Sequence, residues 1–249
     1  MHLIYYQTGN NKKCYICKRE VGHFKKFRGG WKNAPLWIKK IEPVGSDIDN
    51  FGCPFCSSND RERHLFMFFD KLKMWDKIKD AYVLHFAPEK RLSVKIEACS
   101  PIKYIKADLF PKDKSIEKID ATKIPYEDSI FDFLIFNHIL EHIPDYMKAL
   151  KEIYRVLKPN GIAILQTPYS KLLKKNFEDE GINTDELRLF FYGQEDHVRM
   201  FSEKQFIQGL NDAGFILEII KHDDYFSDED SRYFGVNKHE DLIKVIKPG

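Results

Sequence analysis

Beyond residue 80 the chain alternates short apolar, β-prone runs with stretches of helical period, and few architectures satisfy that alternation. The runs lie at 81–86, 103–107, 131–136 and 162–166, the last following a turn on Pro159-Asn160-Gly161. From Asp145, the residues Met147, Leu150, Ile153, Tyr154 and Leu157 fall on one helical face. Ser202 and Gln205 read as a capping box for a helix that carries Phe206, Ile207 and Leu210 and stops at Gly214. Runs at 215–221 and 233–238 then predict two closing strands, with a turn at 226–231. Strands separated by helices predict an α/β fold, a parallel sheet covered on both faces.

The preceding segment is different in kind. It is irregular and rich in Gly, Lys and aromatics, and turns helical only over 61–79. With 249 residues and 43% apolar content, the chain has room for one ordinary domain and a small appendage. The division is therefore drawn at 1–79 and 80–249. The first part holds 16 Lys+Arg against 8 Asp+Glu, a formal +8, and the remainder is −6. The basic residues form no dense run, so a nucleic acid fits less well than an anionic small substrate. The N-terminus MHLIYYQTGNNKK has no signal-peptide order and no run reaches membrane-span length, so a cytoplasmic protein is expected.

Five cysteines in a reducing compartment direct attention to metal binding. Cys14-x-x-Cys17 and Cys53-x-x-Cys56 are separated by 35 residues. Each pair aims two sulfurs at one point, and two such knuckles complete a tetrahedron. Neither pair opens a helix after a strand, which sets redox chemistry aside. Zinc is favoured, although a rubredoxin-like iron site has similar spacing. Four thiolates close the coordination shell, so the ion should be structural, and a segment this short and polar should need it to fold. Cys99 is left over and reads as a small core residue. Arg61 and Arg63, just after the second knuckle, either present guanidinium groups to a carboxylate or phosphate or form a solvated helix start.

Residues 120–145, DATKIPYEDSIFDFLIFNHILEHIPD, followed by 149–161, ALKEIYRVLKPNG, resemble the central signature of class I S-adenosylmethionine-dependent methyltransferases in order and spacing. The similarity covers roughly residue 81 to the C-terminus. It implies a Rossmann-like seven-stranded sheet with a reversed last strand and helices on both faces. It also implies roles by position: Asp108 for the ribose hydroxyls, Asp120 and the Ala121 backbone for adenine, and Asn137 and His138 near the methionine part. The first loop departs from the family's Gly-rich turn, reading VLHFAPEKRL over 83–92 without a glycine. His85 occupies the acidic position, Ala87-Pro88 is a tighter substitute, and Glu89 would bind the cofactor's ammonium group. This HFAPE form resembles a subgroup of bacterial methyltransferases that is often zinc-ribbon-fronted and associated with surface-glycan biosynthesis.

Methyl transfer is an in-line displacement, yet a sugar hydroxyl needs a base in the transition state. The stretch 192–199, YGQEDHVR, resembles a block of the same subgroup. His197 is the expected base, oriented by Asp196, with Arg199 positioning an anionic acceptor. His138 and His142 are rivals, His142 reading as structural before Pro144. Tyr169, after Thr167-Pro168, either closes the site or packs in the core. The expected activity is O-methylation of a sugar-derived acceptor of capsular or other cell-surface polysaccharide. The alternatives are a nucleic-acid or protein methyltransferase whose zinc module holds the polymer, and a non-catalytic binding module.

Overall fold

The computed structural model describes residues 2–249, with side chains from Tyr5 onward. Seven strands, β1 (Tyr82–Phe86), β2 (Lys103–Asp108), β3 (Glu117–Lys118), β4 (Phe131–Ile135), β5 (Leu157–Ile164), β6 (Ile216–Ile220) and β7 (Leu242–Ile246), form one sheet. Their order is β3-β2-β1-β4-β5-β7-β6. The pairings of β1 through β5 are parallel, and β7 is antiparallel to both of its neighbours. This is the expected doubly covered sheet with its reversed last strand. Val83 and Leu84, on opposite faces of β1, are both fully buried, as a central strand of such a sheet requires.

The helices are α1 (His2–Gln7), α2 (Leu36–Ile41), α3 (Asp60–Lys71), α4 (Met74–Ile78), α5 (Lys90–Ala98), α6 (Tyr146–Val156), α7 (Asp185–Tyr192), α8 (Glu203–Asp212) and α9 (Asp228–Phe234). One face of the sheet meets Leu150 and Ile153 of α6 and Phe206 and Leu210 of α8. The other meets Leu92 and Ile96 of α5 and the run Leu65, Phe66, Met67, Phe68 and Phe69 of α3. Phe133, Ile135 and Ile164 from the strands belong to that second core, so apolar packing is continuous across residues 79 and 80.

Polar contacts reinforce the junction. The first turn of α5 has no side-chain cap from its own flanking residue Glu89. Glu62 of α3 replaces it, its Oε1 accepting the N–H groups of Arg91 at 2.7 Å and Leu92 at 3.1 Å. Arg63, read from sequence as a ligand for an anion, is fully buried over the Phe24 ring. Its guanidinium donates to the carbonyls of Asn50, Phe51, Ser58, Phe234 and Gly235. Every one of its N–H donors is thereby used, and none is left for a ligand.

Two local readings are corrected. The closing strand is Leu242–Ile246, whereas 233–238 holds the end of α9 and the turn beyond it. A capping box between Ser227 and Asp230 starts α9 where a plain turn is expected. The helix ends at Gly235, whose φ of 63° and close approach to Phe24 exclude a side chain. Ser202 caps α8, but Gln205 does not reach back. Its Oε1 accepts from the Asn176 N–H at 2.6 Å. Among the described residues, no helix is long and apolar enough to cross a membrane.

Asp60, at the start of α3, is almost completely buried and accepts the Asp47 N–H. Burial pushes its carboxyl up to about 7. The folded chain then keeps a proton that the unfolded chain releases near pH 4, so this group lowers stability as pH rises from about 4 to about 7. Asp60→Asn should remove that slope and gain on the native chain across the window, by roughly 1.4 kcal/mol per unit of raised pKa. Urea unfolding at pH 5 and pH 8 tests it, and an equal difference between the two proteins at both pH values would refute it.

Candidate functional site

The carboxyl ends of the parallel strands form a rim, where ligands of open α/β sheets gather. The chain leaves β1 through Ala87, which is exposed and holds a left-handed φ of 45°, a conformation that favours glycine. The glycine-free loop thus contains a left-handed residue without using glycine. His85 is fully buried behind it, its Nδ1 at 2.8 Å from the Tyr104 hydroxyl and its Nε2 at 2.6 Å from Glu89 Oε2. Burial opposes the charge of Glu89, but the His85 bond and charge hold its carboxyl below the usual range. Asn137 Nδ2 reaches Glu89 Oε1 at 3.4 Å. Asn137 Oδ1 is buried and has no hydrogen-bond partner among the described residues. Further along the rim, Asp108 Oδ1 accepts the Phe110 N–H at 2.7 Å and leaves the Phe110 ring exposed. Asp120 Oδ1 takes the Thr122 N–H and hydroxyl, each at 2.8 Å, while Ala121 is buried.

Beside this rim lies a cavity of about 480 Å³. Its outer wall comes from the segment before α3, with Phe27, Trp31, Ile38 and Phe51. Its inner wall carries His138, Glu141, His142 and His197. A smaller cleft bordered by Glu89 and Asn137 adjoins it, and Arg61 and His138 line both spaces. The Arg61 guanidinium forms no hydrogen bond or ion pair among the described residues.

A 3-10 turn, Leu140–His142, places Glu141 and His142. Glu141 is buried and accepts the Thr167 hydroxyl at 2.9 Å. Burial works against its charge, but the neighbouring charge of His138 brings its carboxyl down to about 2. His138, at φ 54°, stands 3.6 Å from Glu141 and 3.6 Å from Glu240. Burial and Arg61 oppose its protonation, and the two carboxylates outweigh them and raise its pKa. His197 donates Nδ1–H to the Tyr192 carbonyl at 3.1 Å, which leaves the Nε2 lone pair free, 4.0 Å from Glu141. Burial pushes His197 down to about 4.

The structure reassigns several sequence-predicted residues. Asp196 does not orient His197. It is exposed and stands beside His142, with its carbonyl at 3.1 Å and its carboxylate at 3.3 Å from Nδ1. Arg199 is buried, pairs with Glu178 at 2.7 Å and donates to the carbonyls of Leu140, Ile143 and Pro144. It clamps the turn that carries Glu141 and has no donor directed at the cavity. Tyr169 packs in the core against Phe206, and its neighbour Pro168 lines the cavity instead. Cys99 is half-buried against the second core. Glu141 and Glu240 were not anticipated. The adjacency Glu141-His142, three residues after His138, was the available signal for the first.

In the N-terminal segment the four paired cysteines converge. Cys14 Sγ is 3.7 Å from Cys56 Sγ, and Cys17 Sγ is 3.8 Å from Cys53 Sγ. Sulfurs around a tetrahedral ion at ~2.3 Å stand about 3.8 Å apart, so the donor set fits such an ion.

A family model described as a methyltransferase domain matches residues 61–218. Demethylmenaquinone methyltransferase of Staphylococcus epidermidis is 41% identical over 21% of this chain and 24% of its own. Its counterpart in Staphylococcus aureus (strain MRSA252) is 33% identical over 35% and 45%. The chain thus spans less than half the length of these curated relatives. An S-adenosylmethionine-dependent methyltransferase from Mesorhizobium loti has the same fold, with a TM-score of 0.51, 11% identity, and coverage of 72% of this chain and 96% of that one.

The left-handed Ala87 yields a test of the rim. Ala87→Gly should leave stability unchanged or raise it slightly, and Ala87→Val should cost on the order of 1–3 kcal/mol. Thermal denaturation that ranks valine with glycine would show that the turn does not hold this conformation.

Proposed function

Because this chain belongs to the methyltransferase domain family, we propose that it transfers a methyl group from S-adenosylmethionine to a hydroxyl of an anionic, sugar-type small molecule. The observation that carries this reading is that Arg61 and His138 line both the narrow cleft at Glu89 and Asn137 and the larger cavity. The cofactor supplies an electrophilic methyl on a sulfonium. Its ammonium group is assigned to the edge of the cleft, against Glu89 and the orphaned Asn137 Oδ1. Asp108 takes the ribose hydroxyls, and Asp120 with the Ala121 backbone takes adenine. The exposed Phe110 ring beside them offers apolar cover.

The acceptor enters the 480 Å³ cavity, which has aromatic outer walls and a polar inner wall. Its hydroxyl is set against His197 Nε2, which the Tyr192 carbonyl keeps free of a proton. With Arg199 occupied, Arg61 is the cation that meets an acidic group on the acceptor. The names of the staphylococcal relatives favour a second reading, a quinone-type acceptor, and the apolar outer wall is compatible with it. That wall, however, comes from residues 27–51, outside the family match at 61–218, and the relatives align over only 58 and 111 residues, so their acceptor is not carried over. A destination in cell-surface glycan rests on the resemblance of the HFAPE loop and the 192–199 block alone. The same subgroup resemblance supports a zinc-ribbon module over 1–79 ahead of a catalytic domain over 80–249. One structural zinc held by Cys14, Cys17, Cys53 and Cys56, with a fifth unpaired thiol, suits a reducing cytoplasm.

Incubation with labelled cofactor and a panel of phosphorylated and nucleotide-linked sugars tests the proposal. His197→Ala should lose at least about 100-fold in turnover while S-adenosylhomocysteine affinity stays within about two-fold. Unimpaired turnover in that variant would remove His197 from the site. Titration of the thiols with a mercurial should release one zinc per chain, and Cys53→Ser should abolish that release. A thiol titration that frees no zinc would reject the structural ion.

A further inference from the structure

We infer that Glu141, His142 and His197 form a divalent-cation site on the inner wall of the cavity, separate from the four-cysteine cluster. Each side chain offers one ligand atom, and the three atoms lie within 4.8 Å of one another. A point equidistant from them requires each donor to move by less than about 1 Å to reach bonds of ~2.0–2.2 Å. Two imidazoles and one carboxylate on one side of an ion leave the opposite positions open, and here that side is the cavity.

The orientation of the donors is the stronger argument. His197 donates Nδ1–H to the Tyr192 carbonyl and His142 donates Nδ1–H to the Asp196 carbonyl, both at 3.1 Å. Both Nε2 lone pairs are thus free, which is how ligating histidines are held. Glu141 Oε2 is taken by the Thr167 hydroxyl, leaving Oε1 4.0 Å from His197 Nε2. Two buried electron-pair donors therefore face each other across a gap too long for a hydrogen bond. A cation between them would satisfy both.

The use of this ion rests on the proposed hydroxylated acceptor, and it changes the part played by His197. The imidazole becomes a ligand, and the ion lowers the pKa of the acceptor hydroxyl. The hydroxyl proton leaves to water in the open cavity. The oxygen lone pair forms the new O–CH3 bond as the C–S bond breaks and its electron pair returns to sulfur. The products are a methyl ether, a neutral thioether and one proton.

Manganese(II) is the probe, because a hard ion prefers this site to thiolates. Electron paramagnetic resonance of the full chain, its cysteine cluster loaded with zinc, should show one Mn2+ bound per chain. Glu141→Gln and His197→Ala should each weaken binding at least ten-fold. His142→Ala, at the more exposed ligand, should do the same should either variant fail to fold. Absence of bound Mn2+ at millimolar concentration, or binding indifferent to these substitutions, would overturn the inference. Turnover that resists chelators, is lost in His197→Ala and returns at alkaline pH would also overturn it while leaving the acceptor reading intact. Mn2+ bound at these residues with no hydroxylated acceptor methylated would support the site and count against that reading instead.

Discussion

The Arg63 guanidinium joins three stretches of chain that no regular element connects. Its five N–H groups end on carbonyls at Asn50, Phe51 and Ser58 on one side and at Phe234 and Gly235 on the other. A buried cation without partners is costly, and here each donor is matched, so the surrounding loops are held to one arrangement. The segment ahead of α3 is thereby pinned against the turn after α9. The outer wall of the cavity, from Phe27 to Phe51, belongs to that pinned segment. Removing the anchor would release the wall as well as destabilise the junction.

The site is therefore a product of two parts that meet. The sheet rim supplies Glu89, Asp108, Asp120 and Asn137, held by strand ends and by the left-handed turn at Ala87. The N-terminal segment supplies the outer wall of the cavity, and Arg61 on α3 lines both the cavity and the cleft at the rim. Glu62, one residue on, caps α5 directly behind the first loop. Three successive residues of one helix thus serve an open cation, a helix cap and a loop anchor. The family match begins at the first of them, residue 61.

Charge runs inward from the cavity along a buried chain. Glu141 faces His138, His138 faces Glu240, and Glu240 faces His64, at 3.6 Å in each case. His64 then contacts His222 at 2.8 Å, and His222 contacts Ser231 of α9 at 2.7 Å. Carboxylates alternate with imidazoles through its first half, which offsets the desolvation of each. The inner wall of the cavity is in this way linked to α9 by polar contacts that a purely apolar core would lack.

The order of strands and helices was legible because side-chain period and cap residues are local properties of the chain, as were the cysteine knuckles. The exceptions are informative. The run 233–238 looks β-prone, yet Ser227 and Asp230 nucleate a helix just before it and Gly235 ends that helix against Phe24. Asp196 and Arg199 sit beside His197 in sequence, but one stands by His142 and the other grips carbonyls some fifty residues back. Sequence alone determined the α/β sheet, the family resemblance and the thiolate set, since each depends on short-range spacing. Tertiary structure decided which polar side chains line a cavity and which are consumed inside the fold, because a donor's fate depends on acceptors brought to it from distant segments.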